Sequence, residues 1–508
     1  MGILQFDQPR TIAVKWNGRW QLAGAEVSLS DNRIVLQTDR ASWVRITWQA
    51  CFSAHARVLG DAWERSYADL RWKPVFEPAF HPWYFAVLDD DGVTCCGVKT
   101  GPAALCSWQV NETSVTLLMD VRCGCADTQF DGRKLGLAEL VLMTGQGHVF
   151  GMLRDFCRKM CDTPVLPGEP VYGGNDWYNA YGSNSFASVV DHAALLAECA
   201  KGLANRPYQV VDAGWTSCFS WGHPAGVYIG GPYSGCNSKF GDMKRLADEI
   251  RALDVRPGIW FRPLETVEYV PQEAVLRRET QDRTLLDPSH PLVKEKTAED
   301  IERFLSWGYA FIKHDFAVVD MLGHYAFDMT ESVVEGGWSF HEKNKTTAEI
   351  TREYYERTAK LARHAVIDAC NTFSHLSAGV FGIYRIGDDV SGTDYRRTVT
   401  MGVNTLAFRG VQHNTFYAAD PDCVPITGKV PWEKTEQWLN LVKYSGMPFM
   451  VSVEKQCDTD RIRDVLTEAF AVVSRPHETA EPIDWLDTEL PVRWKTFDGE
   501  KEFVWDYQ

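Results

Sequence analysis

The sequence predicts an α/β protein built on a central (β/α)8 TIM barrel, with an N-terminal antiparallel β-sandwich and a small C-terminal β domain. Three observations predict it. Short β-prone runs broken by turn residues fill the first 147 positions, strands alternate with amphipathic helices from residue 171 onward, and the last segment has the pattern of a hairpin.

Composition bounds the possibilities. The chain has 508 residues, 45% hydrophobic and 24% charged, which is ordinary for a globular protein of two or three domains. Lys and Arg total 52 against 68 Asp and Glu, so the formal charge is −16 with no basic run. That balance argues against nucleic acid and anionic membrane surfaces as partners. The N-terminus lacks a basic start followed by a long apolar segment, and no apolar stretch of about 18 residues occurs, so a cytoplasmic location is expected. The fourteen cysteines are scattered, which favours free thiols over a disulfide framework. Neither the Cys95–Cys96 doublet nor the pair Cys123 and Cys125 has zinc-ribbon spacing, and no His cluster completes a site. No metal and no cofactor are expected.

Residues 1–147 contain the runs TIAVKW, RIVLQT, WVRITWQACF, WYFAVL, VTCCGV, SVTLLMDVRC and LAELVLM, with turn signals such as DDDG between them. Many short strands at this spacing predict the sandwich. Residues 148–161, HVFGMLRDFCRKMC, have helical spacing of apolar groups and precede TPVLPGEP, so 148–170 is a connecting helix and linker. The barrel is expected over 171–470. Its strands fall at 171–177, 208–214, 256–261, 309–316, 365–370, 382–387, 414–420 and 448–453, with helices at 186–203, 242–253, 291–307 and 347–364. Residues 471–508, with PVRWKTF, DGE and KEFVWDY, supply the C-terminal hairpin.

The fourth predicted strand, YAFIKHDF, is the most informative. Its apolar start suits a strand buried on both faces, and alternation then points Lys313 and Asp315 the same way. His314, between them, faces away and is read as structural. A lone K-x-D is most often a strand-end salt bridge. Here, however, the other predicted strand ends also gather polar groups: Asn175, Asp176 and Trp177; Asp212 and Trp215; Trp260 and Arg262; Cys370 and Asn371; Arg385, Asp388 and Asp389; Asp420 and Asp422. Carboxylates and cations make directional bonds to hydroxyls and indole faces pack on C–H surfaces, so such a cleft suits a sugar. Any one Trp taken singly is more simply core or rim packing.

Glycosidic cleavage needs one carboxylate that attacks or activates water and one acid that protonates the leaving oxygen. A lysine beside Asp315 favours its charged form, as suits a nucleophile. Mutual repulsion between Asp388 and Asp389 would raise one of the two, as suits a general acid, although neighbours on a strand point to opposite faces.

The ordered motifs GNDWYNAYG, VVDAGW, KFGDMKRLADEIRALDVRPGIWFRP, LLDPSHP, FIKHDF, RIGDDV and AADPDCV resemble the α-galactosidases of glycoside hydrolase family 36, clan D, over residues 171–455. The resemblance implies retaining hydrolysis of a terminal α-galactoside by double displacement. It makes Asp315 the nucleophile, Lys313 a ligand of sugar hydroxyls, Asp389 the acid/base with Asp388 as second choice, and Arg385 a substrate ligand. Trp260 and Trp177 would line the pocket, with Asp212, Trp215, Asp176, Arg262 and Cys370 completing the substrate-binding set. The sequence departs from the family where Asp212-Ala213-Gly214-Trp215 stands in place of an Asp-Asp-x-Trp pattern, which removes one acceptor and leaves the glycone open. Asp176 and the Arg262 cation make an acidic or modified hexose a further option. Transfer of the glycosyl group to another sugar, as in raffinose and stachyose synthases, is the alternative, and a non-catalytic sugar-binding protein ranks last. A homo-oligomer is common for this layout by resemblance.

Overall fold

A computed structural model describes residues 5–219, 228–276, 284–325, 329 and 337–507. The N-terminal region forms two antiparallel sheets. A six-stranded sheet is centred on Trp43–Gln49 and Ser114–Asp120, and a seven-stranded sheet on Lys134–Gly145 and Gly92–Val98. Alternation is clean along Trp43–Gln49, whose Val44, Ile46 and Trp48 enter the core between the sheets. Trp48, Trp108, Phe6 and Phe85 pack there ring against ring at 5.4–6.5 Å. Leu105–Asn111 completes the first sheet. Its Cys, Ser, Gln and Asn dilute the β signal, so it is absent from the runs read in the sequence.

The connecting helix spans Val149–Met160, capped by His148, whose imidazole accepts from the amide of Gly151 at 3.2 Å. It buries Phe150, Leu153, Phe156, Cys157 and Met160, the i, i+3, i+4 stripe that the sequence announced. Phe156 meets Tyr84 of the sandwich, so the helix is fixed to that domain.

The barrel strands are Tyr172–Asn175, Tyr208–Val211, Arg256–Phe261, Phe311–His314, Val366–Ala369 and Ile383–Arg385, followed by Ala418–Asp420, Cys423–Ile426 and Phe449–Val453. All of them pair in parallel. Ala418–Asp420 pairs only with the sixth strand and Cys423–Ile426 only with the last, so the seventh strand is two half-strands joined through Pro421 and Asp422. Asp422 sits at φ 80°, the left-handed turn that separates the halves. The curled sheet thus runs its two ends into one stretch of chain.

Helices Phe186–Cys199, Met243–Ala252, Pro291–Trp307 and Thr347–Ala362 cover the outside of the first five strands, and Trp432–Ser445 and Asp460–Val473 cover the last. Between the fifth and sixth strands there is only the short helix Ser374–Ser377. The sandwich packs at that position instead: Ser374 donates to the carbonyl of Trp63 at 3.1 Å, and His375 stacks on Trp83 at 5.1 Å. The C-terminal region is a three-stranded antiparallel sheet of Glu481–Pro482, Arg493–Thr496 and Gly499–Glu502. All fourteen cysteines are free thiols.

Candidate active site

Register places the polar residues at one end of the barrel. Lys313 stands level with Trp260 on one side and Asp368 on the other. Its neighbour His314 faces the helices, among Phe261, Tyr354, Tyr355 and Phe381, and burial pushes its imidazole down to about 4. The alternation expected along YAFIKHDF is therefore present. The side chain of Lys313 ion-pairs with Asp212 at 2.7 Å, and Asn175 donates to the same carboxylate oxygen at 2.7 Å.

The sequence expectation placed the lysine beside Asp315. In the structure its ion pair is with Asp212, and Asp315 is oriented by neutral donors. The indole of Trp260 donates to Oδ2 at 3.0 Å, and the amide of Phe316 donates to Oδ1 at 2.8 Å. Phe316 adopts φ 62° to turn that amide back, a conformation uncommon for a bulky residue. Asp315 is 8% exposed, at the mouth of the cleft.

Asp176 lies behind Asp212. Its Oδ1 accepts the Asp212 amide at 2.7 Å and its Oδ2 accepts from Asn184 at 3.2 Å. Burial, joined by the charge of Asp212, pushes its carboxyl up to about 7. Asp176 thus props the start of the second strand's loop through the Asp212 amide. Trp215 is fully buried among Tyr233, Phe304 and Trp307 and donates to the carbonyl of Trp260 at 3.1 Å, so it supports the pocket wall from behind. Arg262 pairs with Asp320 at 2.9 Å and Glu265 at 2.9 Å and donates to the carbonyl of Tyr228 at 2.9 Å. Its charge is balanced within the third and fourth loops.

At the sixth strand Arg385 donates to Asp389 Oδ1 at 3.0 Å and also binds Asp422. Asp422 further accepts from the Tyr178 hydroxyl and from the amide of Val390 at 2.9 Å. Asp388 is held by Arg397 at 2.6 Å. The repulsion expected between the neighbouring carboxylates is outweighed by these cations. Although desolvation acts the other way, Arg385, then Arg65, Lys313 and Arg397 hold the Asp389 carboxyl below the usual carboxylate range. Adjacency in sequence gave the wrong sign because cations decide the balance, first Arg385, four residues before Asp389, and then Arg65, Lys313 and Arg397.

Four residues escaped the sequence analysis. Arg65, in DAWERSYADL of the sandwich, reaches Asp388 at 3.4 Å, Asp389 at 3.6 Å and the Cys370 sulfur at 3.9 Å. Glu64 accepts from Asn371. Tyr228 packs against Trp177 at 5.3 Å and Phe316 at 5.5 Å, and burial, joined by the charges of Asp389, Asp212 and Asp315, favours its protonated phenol. Tyr178 follows Trp177 and was not separated from it. Nothing in local spacing marks Arg65 or Glu64, since they come from a different domain. Below the cleft, a cavity of about 20 Å3 is lined by Lys313, Asp368, Arg385, Asp420 and Asp422, room for one water. Among the described residues no group of three or more His, Cys, Asp or Glu is arranged to hold a metal ion, and no helix is long and apolar enough to cross a membrane.

No protein-family profile matches the chain, and no curated protein matches it. Solved structures do match. The α-galactosidase TtGalA from Thermus thermophilus, in complex with p-nitrophenyl α-D-galactopyranoside, superposes with a TM-score of 0.63 at 16% identity, covering 96% of this chain and 98% of that one. The family 36 α-galactosidase AgaA from Geobacillus stearothermophilus gives 0.59 at 14% identity, over 87% of this chain and 65% of its own. The galactosidase domain of the α-galactosidase-sucrose kinase AgaSK gives 0.58 at 14%, over 87% and 64%. These likenesses establish a shared fold.

Proposed function

We propose that the chain is a retaining glycosidase that cleaves terminal α-galactosides, or a closely related α-linked sugar, with Asp315 as nucleophile and Asp389 as acid/base. One observation carries the reading: Asp315 directly follows the fourth strand and Asp389 lies four residues past the sixth, so both stand at the same end of one parallel sheet, where the Lys313–Asp212 pair also lies. The shared fold of structures with bound galactosides supports it.

The chemistry follows from the geometry. Asp315, oriented by the Trp260 indole and the Phe316 amide, attacks the anomeric carbon while Asp389 passes a proton to the departing oxygen. The sugar is then esterified to Asp315. Loss of that anionic charge weakens the hold of Asp389 on a proton, so it is ionised when it must take one from the incoming water. Water attacks the same carbon and releases the sugar with retained configuration. Lys313 and Asp212 present a donor and an acceptor to ring hydroxyls, whereas Ala213 offers none through its side chain. The glycone preference therefore turns on what fits against Ala213.

The test is release of the aryl group from an aryl α-D-galactopyranoside by wild type and by Asp315→Ala. Turnover by wild type is expected, with a loss of about 10^4-fold or more in the variant and partial rescue by azide with inversion. A retained azide product would remove Asp315 from the nucleophile's role. Turnover confined to other α-glycosides would move the glycone assignment, and sugar-to-sugar products in excess of free sugar would point to transfer.

A further inference from the structure

The segment 61–67 crosses from the sandwich into the cleft and is fixed at both ends. Arg409, on the barrel, pairs with Asp61 at 2.8 Å, and both side chains are buried. The same guanidinium donates to the carbonyl of Glu64 at 2.6 Å and to that of Ile386 at 2.8 Å, so one arginine holds a carbonyl from each domain. Next to it Ser66 pairs with the backbone beyond the sixth strand: its amide donates to Ile386 at 3.0 Å and its carbonyl accepts from Asp388 at 2.9 Å. Its hydroxyl meets that of Thr405 at 2.9 Å. Residue 65 is therefore placed against Asp388 and Asp389 by a short strand-like register, with no dependence on its own side chain.

Two cations approach Asp389 at one atom. Arg385 at 3.0 Å and Arg65 at 3.6 Å both face Oδ1, and no described contact involves Oδ2. An acid whose one oxygen is held by two guanidiniums carries its proton on the other, here the oxygen left for a substrate. Arg65 is almost fully buried, yet its Nε has no hydrogen-bond partner. Its other nitrogens meet the Tyr67 hydroxyl at 3.3 Å, Asp388 at 3.4 Å and the Cys370 sulfur at 3.9 Å.

We propose that Arg65 is a positioning residue for the acid/base, delivered by the sandwich so that sandwich and barrel form one catalytic unit. The inference rests on the assignment of Asp389 above. Asp389 faces cations on three further elements: Arg385 of its own strand, Lys313 of the fourth strand, and Arg397 of the helix that follows. Against them stand the anions Asp388 and Asp422 and the phenols of Tyr178 and Tyr228. Arg65 alone among these groups comes from outside the barrel. Its removal lets Asp389 keep a proton to higher pH and frees the carboxyl to rotate.

The test uses the full chain with Arg65→Met and Arg65→Lys, and Arg65→Gln where the methionine variant does not fold. Read as kcat/KM against pH on aryl α-galactosides, Arg65→Met is expected to move the alkaline limb up by about one pH unit. It is expected to cost about tenfold on a poor leaving group and little on an activated one, and Arg65→Lys should restore the limb. An infrared difference titration, wild type minus Asp389→Asn, follows the Asp389 carboxyl without substrate, and its midpoint is expected to rise in Arg65→Met. A risen midpoint in a protein that cleaves no α-glycoside would overturn the glycosidase reading and leave the positioning in place. An unmoved limb, with equal losses on both leaving groups and an unmoved midpoint, would overturn the role of Arg65.

Discussion

At the fourth strand Asp315 is oriented by two neutral donors, while the nearest lysine is paired with Asp212. At the sixth strand Asp389 has two guanidiniums on one oxygen, although its side chain is 38% exposed. The residue type is the same in both places. Neutral N–H groups orient a carboxylate, whereas guanidiniums offset its charge and favour its ionised form. The difference teaches that donor type, more than burial, sets what each aspartate can do. It also predicts that activity falls as pH rises, because the acid form of Asp389 becomes scarce.

The largest effect that would sharpen this contrast is on the leaving group. Asp389→Ala is expected to lose about 10^2- to 10^4-fold on substrates with poor leaving groups, and far less on activated aryl glycosides. The same pattern in Asp388→Ala would shift the acid to the neighbouring residue and break the comparison. Next in size, Trp260→Phe removes one neutral donor from Asp315. A hydrogen bond to a charged group is worth about 1.5–3 kcal/mol, so kcat/KM should fall about 10- to 100-fold. This fall should be alike for good and poor leaving groups, and a leaving-group dependence would tie Trp260 to the acid instead.

The smallest effect concerns stability. Asp176 is raised to about 7 when folded, so between its unfolded value near 4 and pH 7 the folded state binds a proton that the unfolded chain has lost. Stability then falls as pH rises through that window, by ~1.4 kcal/mol per unit, and levels off above it. Asp176→Asn removes the slope. Its melting temperature should match wild type near pH 5 and exceed it by roughly 2–4 °C at pH 8, and an equal difference at both values would show that Asp176 is ionised throughout.

The half of the cleft built by the early strands was legible because its groups follow alternation along buried runs. Trp260, Lys313 and Asp315 lie where a period of two puts them, and Asp212 ends the strand beside them. What failed was everything set by partners distant in the chain. The raised carboxyl expected of one of the neighbouring pair is a lowered one at Asp389, held first by Arg385 of the same motif and then by Arg65, more than 300 positions earlier. Arg262 looked like a cation for the cleft, but Asp320 and Glu265 balance it. Between the fifth and sixth strands only a short helix stands, because Trp63 and Trp83 of the sandwich cover that place. Linear spacing reports on one element at a time, and it carries no record of which loop another domain inserts.

The divided seventh strand has a mechanical consequence. A barrel whose every strand is zipped to two neighbours is a hoop, and widening it breaks backbone hydrogen bonds. This one is a split ring: its half-strands each have one hydrogen-bonded neighbour, and they meet at a bend. Across the slit the Asp422 carboxylate grips Arg385 on one side and Tyr178 on the other, and Thr427 donates to the Gly392 carbonyl. The ring can give most easily at this bend, so amide hydrogen exchange beside Asp422 should be the fastest in the sheet.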